Sequence, residues 1–401
     1  MAPTPLVLLQ RVLEEQNPLK LLSIIFLSIL FLVILCGTWS KKRSLPPAPP
    51  KFPFIGNLHQ LGDLLHHSFR DLSQKYGPIM VLHLGHAPVL VISSAEMARV
   101  ILKNHDSVFT NRPALTAGQI IFYKCQDVGY APYGEYWKQV RKICVTDLLG
   151  IKRVQSFKFI REEETDFLIK EITKSCSLGS SVNLSEMLLA LSNNILCRCT
   201  FGKKPENADG INTFGKLSRE AMQLIGAFSI GDFFPYLRWM DILTGLIGRM
   251  KRTSQQLDVL FDGIIDEHLM KRDIHNSQDH KQDFVDLLLR VQEENKLNIG
   301  ISRDNIKAIM MDMFVAGTDT NATTTEWAIA ELLKSPNTMK RAQAEVRRIV
   351  GKKSKVQEED IQQMDYFKCV IKETLRLHPP APLLVPRICH DYSNRGIYYP
   401  C

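Results

Sequence analysis

The chain reads as a mainly α-helical protein with a small β region. From Asn305 to Leu333 there is no proline, and Ile306, Ile309, Met310, Met313, Phe314, Trp327 and Leu332 fall at spacings that a helix turns toward one side. Helical periodicity of the same kind runs through most of the chain after residue 130, whereas strand-like runs flanking a turn appear only early, at Val81–Leu84 and Val89–Ser93. With 401 residues, 45% hydrophobic and 23% charged, the chain can bury one large core. The net charge of +8 has no Lys/Arg block longer than Lys41–Arg43 and no basic stripe interleaved with aromatics, so nucleic acid is not expected as a partner.

In chain order, the first element is Leu21–Trp39, a run of nineteen uncharged residues. As a helix it reaches roughly 28 Å, close to a hydrocarbon core of about 30 Å, which predicts a transmembrane signal anchor. A cleaved signal peptide is the competing reading. Its apolar region is usually about 7–15 residues, and Gly37, Thr38, Trp39 and Ser40 make a poor cleavage site. Lys41, Lys42, Arg43 and Lys51 follow the span, while Glu14 and Glu15 offset Arg11 and Lys20 before it. Residues 1–20 are therefore expected on the lumenal side and the bulk of the chain in the cytosol. Residues 40–53 are basic and proline-dense (Pro46, Pro47, Pro49, Pro50, Pro53), a stiff spacer in preference to an SH3-type ligand.

The hairpin comes next, with Glu96–Asn104 as the helix after it. Further helices are expected over Tyr136–Leu149, Val154–Thr173, Leu184–Thr200, Phe214–Phe228, Gly248–Asp273, Phe284–Glu294, Pro336–Val350 and Tyr366–Leu377, with a polar surface loop over Asp273–Lys281. Nine cysteines, at 36, 125, 144, 176, 197, 199, 369, 389 and 401, form an odd, scattered set in a domain expected to face the cytosol, and read as reduced thiols. Neither Cys197 with Cys199 nor Cys389, His390 and Cys401 has a paired zinc spacing, so no metal ligand is assigned.

Three short constellations stand out. Within the long helix, Gly317 removes bulk and Thr320 can offer its hydroxyl to the Ala316 carbonyl, so the ladder over Ala316–Thr320 can open and hold a water. A plain core helix is the alternative. Trp137 and Arg141, four residues apart, share one helical face and can aim an indole N–H and a guanidinium at a common acceptor. Here the alternative is an indole packed under an arginine stem. Glu373 and Arg376, just before Pro379 and Pro380, lie among Val370, Ile371, Leu375 and Leu377, which suggests an ion pair held in the interior. Ala381–Val385 follows as an extended apolar segment that leads to Pro386 and Arg387.

Taken in this order over residues 20–387, the anchor, the proline spacer, Trp137 with Arg141, Ala316 to Thr320, Glu373 with Arg376, and Pro379 to Arg387 resemble a microsomal, plant-type cytochrome P450. The resemblance implies a P450-like fold over residues 54–387, anchored in the endoplasmic reticulum membrane. It implies a haem-thiolate monooxygenase that inserts one atom of O2 into a small lipophilic plant metabolite of the terpenoid or phenolic class. An NADPH-cytochrome reductase would supply the electrons. By position, Trp137, Arg141 and Arg387 would bind haem propionates. Ala316, Gly317, Asp319 and Thr320 would line the distal side, with Asp319 and Thr320 catalytic through proton delivery. Glu373 and Arg376 would be structural. Phe122, Met313, Ala316, Leu383, Leu384 and Val385 would line the substrate pocket, together with the stretch from Ala114 and the Phe228 region.

The resembled family carries its iron-binding cysteine in a Phe-x-x-Gly-x-Arg-x-Cys-x-Gly loop well after the position of Arg387. Residues 388–401 hold no such loop and read as a divergent tail. The axial cysteine is therefore expected beyond Cys401, and the expectation is a shortened monooxygenase that does not catalyse the family reaction by itself. The alternative is a haem-free, membrane-anchored binding or regulatory protein that competes for the reductase.

Overall fold

The computed structural model describes residues 46–204, 208–274, 282–294 and 300–389, with residues 22–25 and Ser28. The chain divides into two compact units, Met1–Pro47 and Ala48–Cys401. In the first, residues 22–25 and Ser28 are helical and exposed. The rest of the expected span over 21–39 lies outside the described residues, as do residues 275–281 of the expected loop and 390–401 of the tail. Among the described residues no helix is long and apolar enough to cross a membrane.

The second unit starts on the proline spacer, whose carbonyls need donors that prolines cannot supply to one another. Asn57 supplies them. Its side chain, fully buried, donates to Pro50 O at 3.1 Å and accepts from the His83 N–H at 2.8 Å. His83 belongs to β1 (Ile79–Leu84), which pairs antiparallel with β2 (Ala87–Ile92), Ile79 facing Ile92 and Leu84 facing Ala87. Gly85 turns the hairpin at φ +59°, a conformation that suits glycine. Burial alternates along β2, and Val89 and Val91 join Met80, Leu82, Leu84 and Phe69 in a small cluster. Phe69 comes from α1 (Leu65–Tyr76).

Helices make up the remainder. Ser94 caps α2 (Ala95–Arg99), which continues as one π turn to Asn104, and α3 (Thr116–Ile121) follows. Next come α4 (Glu135–Ile143), extended by a π turn to Leu148, α5 (Ile151–Ser156) and α6 (Lys158–Ser177). The stretch expected as one helix from Val154 is thus two. Phe157 breaks it by turning inward, where its ring meets Phe284 at 5.5 Å. Then follow α7 (Leu184–Phe201), α8 (Ala208–Ile225), α9 (Ile230–Phe233), α10 (Met240–Leu243) and α11 (Leu246–Ile274). Capping boxes start α12 (Phe284–Glu293, on Asp283) and α13 (Arg303–Gly317, on Ser302). The chain continues through α14 (Asp319–Lys334), α15 (Pro336–Val350), α16 (Glu358–Ile361) and α17 (Asp365–Leu377).

The main core gathers Phe122, Val140, Leu148, Phe261, Leu288, Met310 and Phe314, with Phe201 stacked on Phe314 at 4.9 Å. α7 packs along both α13 and α14, which places this long helical pair at the centre of the fold. The periodic set read from the sequence is buried at Ile306, Ile309, Met310, Phe314 and Leu332. Trp327 departs from it: it is 41% exposed and stacks on His378 at 3.8 Å.

Candidate active site

The long central helix is not continuous. It breaks at Thr318 (φ −83°, ψ −66°), between α13 and α14. Side chains compete there for helix carbonyls: Thr320 Oγ1 donates to Ala316 O at 2.5 Å and Asn321 Nδ2 to Gly317 O at 2.8 Å. Gly317 is needed for close approach rather than for its dihedral angles, since a Cβ there would sit 2.8 Å from Leu196 Cδ1 on α7. The hydroxyl of Thr318 and Oδ1 of Asn193, both on buried residues, have no hydrogen-bond partner. They face a cleft of about 360 Å³ between α7, α8 and the break, which Ser218, Arg219, Gln223 and Asp319 also line. Buried polar atoms of this kind can hold water. Asp319, on the cleft wall, and Thr320, whose hydroxyl stays on the Ala316 carbonyl, are the first two residues of α14 after the break.

A second neighbourhood joins α4, the segment around 105–112 and the segment 383–388. Ile388 N–H donates to Asn111 O at 2.8 Å, Tyr133 N–H to Asn111 Oδ1 at 3.0 Å, and the Tyr133 and Trp137 rings lie 5.5 Å apart. Trp137 does not aim with Arg141 at a shared acceptor. Its indole N–H donates to Val128 O at 2.9 Å, and the Arg141 guanidinium lies 5.1 Å from its ring centroid. The stacked alternative holds, because a loop carbonyl lies within reach of the indole. Arg387 donates to Asp106 Oδ1 at 2.6 Å and Phe109 O at 3.3 Å, and Arg112 to Val385 O at 3.3 Å.

The expectation of an interior pair at Glu373 and Arg376 is corrected. The pair is bidentate, at 2.8 and 2.6 Å, but both side chains are more than half exposed. The helical period carries Val370 and Ile371 inward with Thr374, while Glu373, Leu375, Arg376 and Leu377 face solvent. Of the expected pocket residues, Phe122 is buried in the main core and Met313 packs against it. Leu383 packs with the sheet's cluster, Ala316 and Leu384 are exposed, and Val385 is partly buried with its carbonyl on Arg112.

Two residues not singled out from the sequence are central here. Asp127, fully buried on the segment after α3, and Asp312 on α13 lie side by side against Gly129. Asp312 Oδ2 accepts the Val128 N–H at 2.6 Å and Asp127 Oδ2 the Tyr130 N–H at 2.9 Å. Burial pushes Asp127 up to about 6, against the amides that lower it. Burial, then the charge on Asp127, raises Asp312 well above the usual carboxylate range. The available signal was a carboxylate inside the apolar run Met310–Phe314. Burial also raises the thiols of Cys125 and Cys199 to about 11 and those of Cys144 and Cys197 to about 12, so these cysteines stay neutral.

For haem, the cofactor implied above, the residues present fit at the carboxylate end. Arg112, Arg141 and Arg387 bring three guanidiniums to one neighbourhood, and Arg141 has no carboxylate partner among the described residues. The Trp137 N–H is not part of that donor set, since Val128 O takes it.

Comparison with known proteins agrees with this architecture. The family model described as cytochrome P450 matches residues 46–399. The chain is 53% identical over 348 residues to cytochrome P450 71A1 of Persea americana, covering 86% of this chain and 69% of that one. It is 47% identical over 374 residues to a phenylacetaldehyde oxime monooxygenase of Prunus mume, covering 92% and 70%. It is 47% identical over 375 residues to desmethylyatein synthase of Sinopodophyllum hexandrum, covering 93% and 74%. A solved zebra fish cytochrome P450 with abiraterone shares the fold at TM-score 0.65 and 24% identity, over 81% of this chain and 72% of that one. With a helix opened at Thr318 and cations gathered beside α4 in the same chain, this protein belongs to the cytochrome P450 family, whose cofactor is haem.

Proposed function

We propose that the protein is a haem monooxygenase acting on a small lipophilic plant metabolite of the terpenoid or phenolic class, with electrons from an NADPH-cytochrome reductase. The observation that carries this reading is the break between α13 and α14, where Thr320 and Asn321 take the carbonyls of Ala316 and Gly317. Relatives named for phenylacetaldehyde oxime and desmethylyatein support the substrate class. Haem supplies the activation of dioxygen from which one oxygen atom enters the substrate.

The chain's own residues do the rest. Arg141 and Arg387 would hold the haem propionates through charge-assisted hydrogen bonds. Ala316 and Gly317 leave the opened helix free of bulk. Thr320 holds a proton at Oγ1, and Asp319, on a cleft that can hold water, passes protons toward it. Of the residues expected around an apolar substrate, Met313, at the edge of the main core, and Val385, partly buried beside Arg112, are the ones placed to exclude water, while Phe122 is held in the core and Leu383 in the sheet's cluster. Glu373 and Arg376 pair with each other on the exposed face near the end of α17. The uncharged run at 21–39, followed by Lys41, Lys42 and Arg43, supports a single-pass anchor in the endoplasmic reticulum membrane with the main domain in the cytosol.

The test is the carbon monoxide difference spectrum of the reduced, haem-loaded chain, followed by turnover of a metabolite panel with reductase. A Soret band from bound haem and a hydroxylated product are expected. A chain that binds reductase yet takes up no haem would overturn the reading in favour of a binding protein.

A further inference from the structure

We propose that Asp127 and Asp312 share one proton and thereby fasten the segment 122–130 to α13, so that loss of this proton unlatches the segment.

Both carboxylates converge on one spot. A Cβ placed on Gly129 would lie 3.1 Å from Asp127 Oδ2 and 3.6 Å from Asp312 Oδ1. Each also accepts a backbone N–H from the segment, Asp312 from Val128 and Asp127 from Tyr130. Two carboxylates can hydrogen-bond to each other only if one carries a proton. Asp127 Oδ1 is buried and has no hydrogen-bond partner among the described residues, so a proton carried by Asp312 would satisfy it. The burial of Asp127 supports this, because two bare charges side by side repel when one of them is cut off from water.

Among the described residues neither carboxylate has a salt bridge to a cation. The titratable groups facing the pair are Cys125 and Tyr130 from the segment and Tyr136 and Cys144 from α4 and its π turn. All four are acids raised by burial and therefore neutral. The cations in this neighbourhood are one step removed: Arg112 acts on Tyr130, and Arg141 on Cys144.

The segment also stores strain. Tyr123, Lys124 and Cys125 are three consecutive non-glycine residues with φ of +49°, +61° and +60°. Further ties hold it, from Tyr123 Oη to Asp258 at 2.9 Å and from Asn305 Nδ2 to Gln126 Oε1 at 3.0 Å. The Asp127–Asp312 pair is the tie that a proton controls. When the Asp312 O–H bond breaks and its proton passes to water, two carboxylates remain and the segment leaves α13. Trp137, which holds Val128 O, and Phe122, at the start of the segment, move with it. Asp127 and Asp312 are thus positioning residues. Their role stands on the chain's own geometry and does not depend on haem.

The test is hydrogen exchange of the Val128 and Tyr130 amides in the full chain from pH 6 to 10, corrected for intrinsic exchange. The wild type should lose at least tenfold protection in one transition. Asp312→Asn, whose amide can accept from Val128 and donate to Asp127, should stay protected without that transition, whereas Asp312→Ala should be unprotected throughout. Asp127→Asn repeats the test from the other side if the first variant fails to fold. An infrared carboxylic-acid band lost in Asp312→Asn is the direct sign of the proton. A wild type with no transition, or an Asp312→Asn variant that keeps the same one, would overturn the proposal.

Discussion

His268 shows how much one side chain can do when its partners are fixed. Its Nδ1–H donates to Ile264 O at 2.7 Å and its Nε2–H to Asp283 Oδ2 at 2.8 Å, so both ring nitrogens carry protons and the ring is an imidazolium. Burial alone would lower its pKa, but the Asp283 hydrogen bond and charge outweigh burial and raise it above 6.5. A raised folded value means that this contribution is fully present below about pH 6.5 and fades as pH climbs through the folded pKa. His268→Gln should therefore lose stability at pH 6 and approach the wild type at alkaline pH, as read from urea midpoints at several pH values. Glu373→Gln makes the opposite case. That pair is exposed, so the melting temperature should stay within error of the wild type, while a large drop would restore the interior reading.

At the scale of elements, ties between segments matter more than helix propensity. The Asn57 side chain joins the proline spacer directly to β1, and Asn57→Ala would leave the His83 N–H without an acceptor in a largely buried strand. We expect a loss of about 1–3 kcal/mol, the usual cost of an unsatisfied buried donor, measured by chemical denaturation. A protease cut appearing near Pro50 would show the spacer coming free. The α13–α14 break follows the same logic: hydroxyl and amide side chains satisfy carbonyls that a continuous helix would use, and α7 packs close because residue 317 is glycine.

For the whole molecule, the prediction concerns cofactor loading. A ligand that binds only the folded chain stabilises it by about 2.7 kcal/mol at a hundredfold excess over Kd. Haem should therefore raise the melting temperature of this chain. Arg141→Ala should weaken haem affinity roughly 10- to 100-fold, since a charge-assisted hydrogen bond contributes about 1.5–3 kcal/mol. An unchanged affinity would remove Arg141 from the site.

Local pattern alone determined the helical class, the early hairpin and the Ala316–Thr320 hydroxyl chemistry, because periodicity of 2 or 3.6 and side-chain competition for nearby carbonyls act over a few residues. The ordered motifs likewise carried the family resemblance. The tertiary structure decided what those groups face. Trp137 found Val128 O instead of a shared acceptor, and Glu373 and Arg376 turned to solvent. Asp127 met Asp312 across 185 positions of chain, a pairing that arises only when a loop is laid against a helix. Spacing along a helix says which side chains are neighbours on its surface, but burial and partners across the fold depend on long-range packing that no local pattern encodes.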